Sequence, residues 1–298
     1  MALFTQAIHR AMERRDDQKA ITFFRGDTIE TELTFGQLRE HADNVAGYLT
    51  TLGISKGERV ILLLEKSLVF ITAHLAIQQL GAISVPLNPG FKKRELRYLL
   101  NDAAPKLVIT EPDKKALIRT IDPDVRLIEI STQAPYQTHP FLHLNSFRCD
   151  IPDLSPDDPA LIIYTSGTTG DPKGAVLTQK NLMHDADNII RIWEITEKDV
   201  LCHALPLFHV HGLCFALHTA LLSGAHVCML DRFDPKLVLT MLSSKDLGTA
   251  CTVFMAVPAM YTKLMDEMGD QHLNFKHARL LASGSAPLLV QEFARIQT

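Results

Sequence analysis

The stretch ERVILLLEKSLVFITAHLAIQQLGAISVPLN (Glu58–Asn88) sets the architecture. ERVILLLE (Glu58–Glu65) is a continuous apolar run, the pattern of a strand covered on both faces. A helix is expected from about Ser67 to Leu80, stopped by Gly81, and AISVPLN (Ala82–Asn88) reads as the next strand. The most apolar part, Leu68–Pro86, is interrupted by Thr72, His74, Gln78, Gln79 and Ser84. It therefore falls short of the ~20 uninterrupted residues of a membrane span, and a buried helix plus strand fits better. Upstream, Thr34 is placed to cap a helix that carries Leu38, Ala42, Val45, Ala46 and Leu49 at threes and fours. Gly53 and Gly57 punctuate its exit. Downstream, Lys92–Asn101 is a basic amphipathic helix and PKLVIT (Pro105–Thr110) another strand. Alternating strands and helices imply a parallel, doubly wound sheet.

The pattern weakens between Asp113 and Asp158, where only VRLIEI (Val125–Ile130) stands out, and then resumes. LIIYTSGTTGDPKGAVLTQ (Leu161–Gln179) reads as two short strands around a Gly/Ser/Thr loop, and Asn181–Trp193 as a helix. AHVCML (Ala225–Leu230), TACTVFMAV (Thr249–Val257) and ARLLASG (Ala278–Gly284) read as strands. Lys236–Ser243, Pro258–Met268 and Leu288–Ile296 read as helices. Two α/β lobes are expected, 1–160 and 161–298, the second opening with the Gly/Ser/Thr loop.

Of the 298 residues, 46% are hydrophobic and 21% charged, which excludes a disordered chain. With 30 Lys and Arg against 34 Asp and Glu, the net charge is −4, so a nucleic-acid binder is not expected. The five cysteines, Cys149, Cys202, Cys214, Cys228 and Cys251, form no CxxC pair. Neither a disulfide framework nor a Cys-based zinc site follows, and a reducing cytoplasm suits buried thiols. The start, MALFTQAIHRAMERRDD, mixes acids and bases and lacks the apolar core of an export signal.

Chemistry concentrates in Tyr164-Thr165-Ser166-Gly167-Thr168-Thr169-Gly170-Asp171-Pro172-Lys173-Gly174. Glycines let backbone N–H groups approach an anion, hydroxyls donate to non-bridging oxygens, and a lysine adds a point charge. These are the parts of a phosphate cradle; the same composition also suits a surface hairpin. The Walker pattern fails in both registers, because Pro172 and Ala175 stand where its second glycine belongs. That argues against a kinase-like protein of the Walker type. The absence of GxGxxG removes the main support for a dinucleotide dehydrogenase.

YTSGTTGDPKG resembles the signature loop of the adenylate-forming superfamily, which includes acyl- and aryl-CoA synthetases, peptide-synthetase adenylation domains and luciferases. Thr34–Ser67 and Gln79–Thr110 are similar to the family's first βα units. LPLFHVHG (Leu205–Gly212), FMAVPAMYTKL (Phe254–Leu264) and ASGSAPL (Ala282–Leu288) follow in the family's order. The resemblance implies two stacked, mostly parallel, doubly wound α/β subdomains of an N-terminal AMP-binding domain. It assigns Thr165, Ser166, Gly167, Thr168, Thr169 and Lys173 to the β- and γ-phosphates of ATP. Gly284, Ser285, Ala286 and Pro287 correspond to the turn against adenine, with Ser283 beside it at the substrate. His209 corresponds to the residue that borders the carboxylate and gates the pocket, the one catalytic candidate. Read from the residues alone, a histidine on an apolar segment such as His209 is usually a satisfied core residue, and His203, His209, His211 and His218 lack the acidic neighbours of a metal site. No metal-ligating residue is assigned.

The implied reaction belongs to an acid–thiol ligase of the AMP-forming kind. A carboxylate attacks the α-phosphorus of MgATP, and coenzyme A then displaces AMP to give the thioester. ATP, Mg2+ and coenzyme A are the implied cofactors and co-substrates. The motifs are most similar to those of malonyl-CoA synthetases, so the acid is expected to be short-chain or malonate-like. Lys263 would meet a distal carboxylate as a point charge; its alternative is a solvated helix residue. The family's YGxTE, TGD and GRxxDxxK stretches are not among these residues, and Glu292 is not a displaced equivalent. The expected fold is therefore truncated before the β-barrel part and the C-terminal domain. A chain of this extent is expected to be inactive alone and to self-associate through uncovered apolar surface. The alternative function is a non-catalytic nucleotide-binding or interaction module.

Overall fold

A computed structural model describes residues 3–143, 151–165, 171–244 and 250–297. In chain order they form α1 (Phe4–Glu13), β1 (Lys19–Arg25), β2 (Thr28–Thr34), α2 (Phe35–Thr51), β3 (Arg59–Leu63), α3 (Leu68–Gln79), β4 (Ile83–Pro86), α4 (Lys93–Ala103), β5 (Leu107–Thr110), α5 (Lys115–Arg119), β6 (Leu127–Glu129), β7 (Pro159–Thr165) and β8 (Lys173–Thr178). There follow α6 (Gln179–Trp193), β9 (Val200–His203), a π-helix over His211–His218, α7 (Thr219–Ser223), β10 (His226–Leu230), α8 (Pro235–Ser243), β11 (Val253–Ala256), α9 (Pro258–Met268), β12 (Leu280–Ser283) and α10 (Val290–Gln297). Two compact units result: residues 1–13 with 36–184, and residues 14–35 with 185–298.

The first unit holds a six-stranded sheet of order β6-β5-β3-β4-β7-β8, parallel except for β8. α3 is buried over its whole length, as its lack of a polar face requires. Ser67 caps it: its Oγ accepts the Phe70 amide at 3.2 Å. Each polar residue that interrupts the apolar stretch has a partner. Thr72 Oγ1 donates to Leu68 O at 2.9 Å and lies 2.8 Å from Tyr136 Oη. His74 Nδ1 lies 3.0 Å from Ser84 Oγ. Gln78 Nε2 donates to Ala160 O at 2.6 Å, and Gln79 Nε2 to Asp43 Oδ1 at 2.8 Å. Burial pushes the His74 pKa down to about 3, so the ring is neutral. The apolar faces of α4 and α5 (Leu96, Leu99, Leu100 and Ile118) pack on Ile61, Leu63, Val85 and Val108 of the sheet.

The second unit holds a sheet of order β12-β11-β9-β10-β1-β2, parallel except for β2. The sequence reading did not anticipate β1, β2 or β9. The β1–β2 hairpin turns at Gly26, whose φ is +60°. Its strand β1 runs parallel to β10, with Ile21 opposite Val227 and Phe24 opposite Leu230. Residues 14–35 therefore belong with the C-terminal half of the chain. The expected division at 160/161 differs from the compact units, which change over between His184 and Asp185. The physical reason is that β7 and β8 complete the first sheet, through the pairing of Ser84 with Leu161. Cys202, Cys214, Cys228 and Cys251 are buried and, among the described residues, form no disulfide. Cys149 lies outside the described residues. Among the described residues, no helix is long and apolar enough to cross a membrane.

Candidate functional site

On the first unit, β7 and β8 form an antiparallel hairpin in which Thr165 stands opposite Lys173. Thr165 Oγ1 donates to Lys173 O at 3.4 Å, closing the ladder where the loop begins. Tyr164 Oη donates to Asp102 Oδ2 at 2.6 Å. Burial, then that carboxylate, raises the tyrosine pKa. Gly174 is tightly placed: a Cβ there would stand 3.0 Å from Ile162 Cγ2 and 3.3 Å from the Tyr164 ring, so those side chains would have to give by a few tenths of an ångström. The base of the loop is thus fixed by β-pairing and by close ring contact. Lys173 is exposed. Ser166, Gly167, Thr168 and Thr169 lie outside the described residues.

On the second unit, β12 delivers Ser283, exposed and paired in register with Ala256. The Gly284 amide donates to Ala256 O at 3.1 Å, prolonging the strand by one bond. Tyr261 Oη, from α9, donates to Ala282 O at 3.0 Å. Ser285 then turns the chain in the left-handed region, at φ +64°. Ala286 and Pro287 follow at the surface.

The histidine that meets this turn is His211. His211 Nδ1 lies 3.0 Å from Ser285 Oγ, and a Cβ on Gly284 would stand 3.4 Å from His211 Cε1. His211 is buried and its pKa is lowered by that burial, so a neutral imidazole meets the hydroxyl. It opens the π-helix, a rare winding that occurs frequently at functional sites. The next residue, Gly212, is packed so closely that a Cβ would fall 2.1 Å from Pro206 O. His203 Nε2 donates to Gly212 O at 2.8 Å, which makes His203 a hydrogen-bonded core residue.

His209 is exposed by area, with its ring tilted on Phe208 at 4.5 Å between centroids. Enough protein surrounds it to lower its pKa by desolvation. Lys263 is exposed on α9, and among the described residues its ammonium makes no ion pair. Its neighbour Thr262 instead donates through Oγ1 to Glu292 Oε1 at 2.7 Å. The signal that could have singled out His211 is the HVHG run itself, where a second histidine precedes a glycine.

A clamp that the sequence reading missed fixes the start of β12. Arg279 donates from Nε to Asp199 Oδ1 and from Nη2 to Asp199 Oδ2, both at 2.7 Å. It also donates from Nη1 to Trp193 O and from Nη2 to Glu194 O, both at 2.9 Å. Those carbonyls terminate α6. Burial works to raise the Asp199 carboxyl, but the Arg279 fork, the Thr196 amide and the Thr252 hydroxyl hold it below the ordinary range.

Fold and hairpin define an α/β class whose Gly/Ser/Thr/Lys loop is not of the Walker type. Residues 8–297 match the model of the family described as AMP-binding enzyme. The chain belongs to that family. It is 32% identical over 252 residues to the malonate–CoA ligase ACSF3, mitochondrial, of Xenopus laevis, covering 80% of this chain and 43% of that protein. It is 30% identical over 267 residues to 4-coumarate–CoA ligase 3 of Arabidopsis thaliana, covering 86% of this chain and 46% of that one. The structure of ATP-bound MatB from Rhodopseudomonas palustris superposes with a TM-score of 0.86 at 32% identity, covering 98% of this chain and 57% of that one. The chain spans about half the length of the curated relatives it matches.

Proposed function

We propose that this chain serves an AMP-forming carboxylate–CoA ligase that activates a short-chain or malonate-like acid. The family match over residues 8–297 carries this reading, and relatives named for malonate and for coumarate support the acid–thiol ligase class. In the first half-reaction a carboxylate oxygen bonds to the α-phosphorus of ATP and pyrophosphate leaves. In the second, the thiol sulfur of coenzyme A bonds to the acyl carbon and AMP leaves.

A carboxylate is already a competent nucleophile, so the first step asks for positioning and for neutralised charge. Thr165, Ser166, Gly167, Thr168, Thr169 and Lys173 take the phosphates in this reading. Gly284, Ser285, Ala286 and Pro287 take the adenine side, while Ser283, His209 and Lys263 serve the acid. Among the described residues no group of three or more His, Cys, Asp or Glu is disposed to hold a metal ion. Mg2+ would enter with ATP and neutralise charge on its phosphates. Buried thiols that form no disulfide among the described residues support a reducing compartment, the cytoplasm in our reading.

An ATP titration with Lys173→Ala as control tests the phosphate role; undiminished affinity in the variant overturns it. Pyrophosphate release across malonate, propionate, octanoate and coumarate tests the acid; malonate no better than the monocarboxylates overturns the malonate reading. ATP binding without release for any acid would favour a non-catalytic nucleotide-binding module. We also read the second unit as self-associating with a second copy of the chain. Leu289 and Val290, 63% and 84% exposed beside the edge strand β12, support this. A clean monomer by light scattering at high concentration overturns it.

A further inference from the structure

We propose that His211 is a positioning residue that holds the 284–287 turn in shape through Ser285. The proposal rests on the reading that this turn meets the nucleotide. Three observations converge on it. Ser285 is one of only three non-glycine residues with positive φ among those described, so its backbone sits where an L-residue is strained. Such strain persists only where neighbours over-determine it, and the Ser285 hydroxyl is tied to His211 Nδ1 at 3.0 Å. The imidazole is itself immobilised. It is buried at the head of the π-helix, its ring lies 5.8 Å from that of Phe215, and the following Gly212 is wedged beneath Pro206 O.

The other charged and titratable groups near this turn do not compete for the bond. Glu292 of α10 is engaged by Thr262, and Tyr261 by Ala282 O. His203 is turned to Gly212 O. The Ser285 tie therefore runs from a rigid imidazole to a strained backbone, and its service is to the conformation of the turn. Removing the hydroxyl while keeping a Cβ should release the turn. Removing both the hydroxyl and the Cβ should let the backbone keep φ +64° without help, because glycine accepts that region at no steric cost.

The test compares Ser285→Ala, Ser285→Gly, His211→Phe and His211→Asn. ATP affinity is read by calorimetry and the backbone amide shifts of residues 283–287 by NMR. The expected result is a Kd for ATP weakened about tenfold in Ser285→Ala and His211→Phe, the loss of one hydrogen bond. The double variant should be no worse than either single one. Ser285→Gly should stay within about twofold of the parent, and His211→Asn, whose amide can replace Nδ1, should recover most of the loss. Ser285→Ala binding as tightly as the parent, or Ser285→Gly failing as badly as Ser285→Ala, overturns the proposal. If the parent itself does not bind ATP, the nucleotide reading fails and the amide shifts decide the rest. Unchanged shifts at 283–287 in Ser285→Ala and His211→Phe then overturn the positioning role; displaced shifts recovered in His211→Asn sustain it.

Discussion

Arg279 grips both oxygens of Asp199 at 2.7 Å and, with the same guanidinium, the last carbonyls of α6. One side chain thus joins α6, the segment before β9 and the first residues of β12. Asp199 is buried while Arg279 is partly exposed, so the pair is desolvated on one side only. Arg279→Ala would leave a buried carboxylate short of its cation. It should cost about 2 kcal/mol, discounted for the solvent around the arginine. Urea unfolding at neutral pH reads this, and a change under 0.5 kcal/mol, about the scale of an ordinary surface substitution, would discard the clamp. Because the folded Asp199 pKa is depressed, the pair's stabilisation is full above the unfolded carboxyl value and is lost as pH falls through the folded one.

A second pH dependence comes from histidines that fold neutral. The His74 pKa is about 3 and that of His226 about 4, both lowered first by burial. The unfolded chain takes up these protons below about pH 6.5 while the folded chain does not. Stability should therefore fall between pH 6.5 and 4, by about 1.4 kcal/mol per pH unit for each such group. Replacing His74 and its partner Ser84 together, by Leu and Ala, should flatten that slope. Urea midpoints at pH 7 and pH 5 measure it, and an unchanged slope in the double variant would refute the assignment.

Two glycines should respond very differently to alanine. At Gly212 the new Cβ would fall 2.1 Å from a backbone oxygen, which cannot rotate away. Gly212→Ala should cost about 3 kcal/mol and disturb His211 beside it. Gly26 has open space, so Gly26→Ala should cost only the left-handed backbone penalty, about 1 kcal/mol. Melting temperatures of the two variants give the comparison, and equal shifts would contradict it.

The cap of α3 gives a smaller effect. Ser67 Oγ accepts the Phe70 amide and donates to Glu65 O at 3.1 Å. Ser67→Ala should cost about 1 kcal/mol, and Ser67→Gly less. Chemical denaturation distinguishes them; a Gly variant weaker than the Ala variant would show that the hydroxyl's role is not capping.

Where structure follows from nearest neighbours in the chain, the sequence was enough. The apolar run 58–65, the helix from about Ser67 to Leu80 and the helix Pro258–Met268 could all be read from spacing and turn residues. The β1–β2 hairpin could not be placed. Its turn is visible at Gly26, but its sheet partner is β10, and no local pattern names a partner so distant. The role of His211 was hidden for a different reason. Periodicity assumes α-helical winding, and a π-helix changes which residues face inward. Of the candidate site, the residue types of the two loops were legible, whereas the tie between His211 and Ser285 depends on tertiary packing.

The placement of β1 and β2 in the second sheet has a consequence for synthesis. β1 and β2 leave the ribosome early, yet Ile21 pairs with Val227, roughly 200 residues later, so the hairpin must wait with an open edge. The second unit cannot mature by simple N-to-C order, and a single cut at 184/185 would take two of its six strands away. The N-terminal piece would keep its own six-stranded sheet and carry β1 and β2 with it, while the C-terminal piece would be left with four strands, so reassembly on mixing, rather than independent folding of the second unit, is the behaviour this topology imposes.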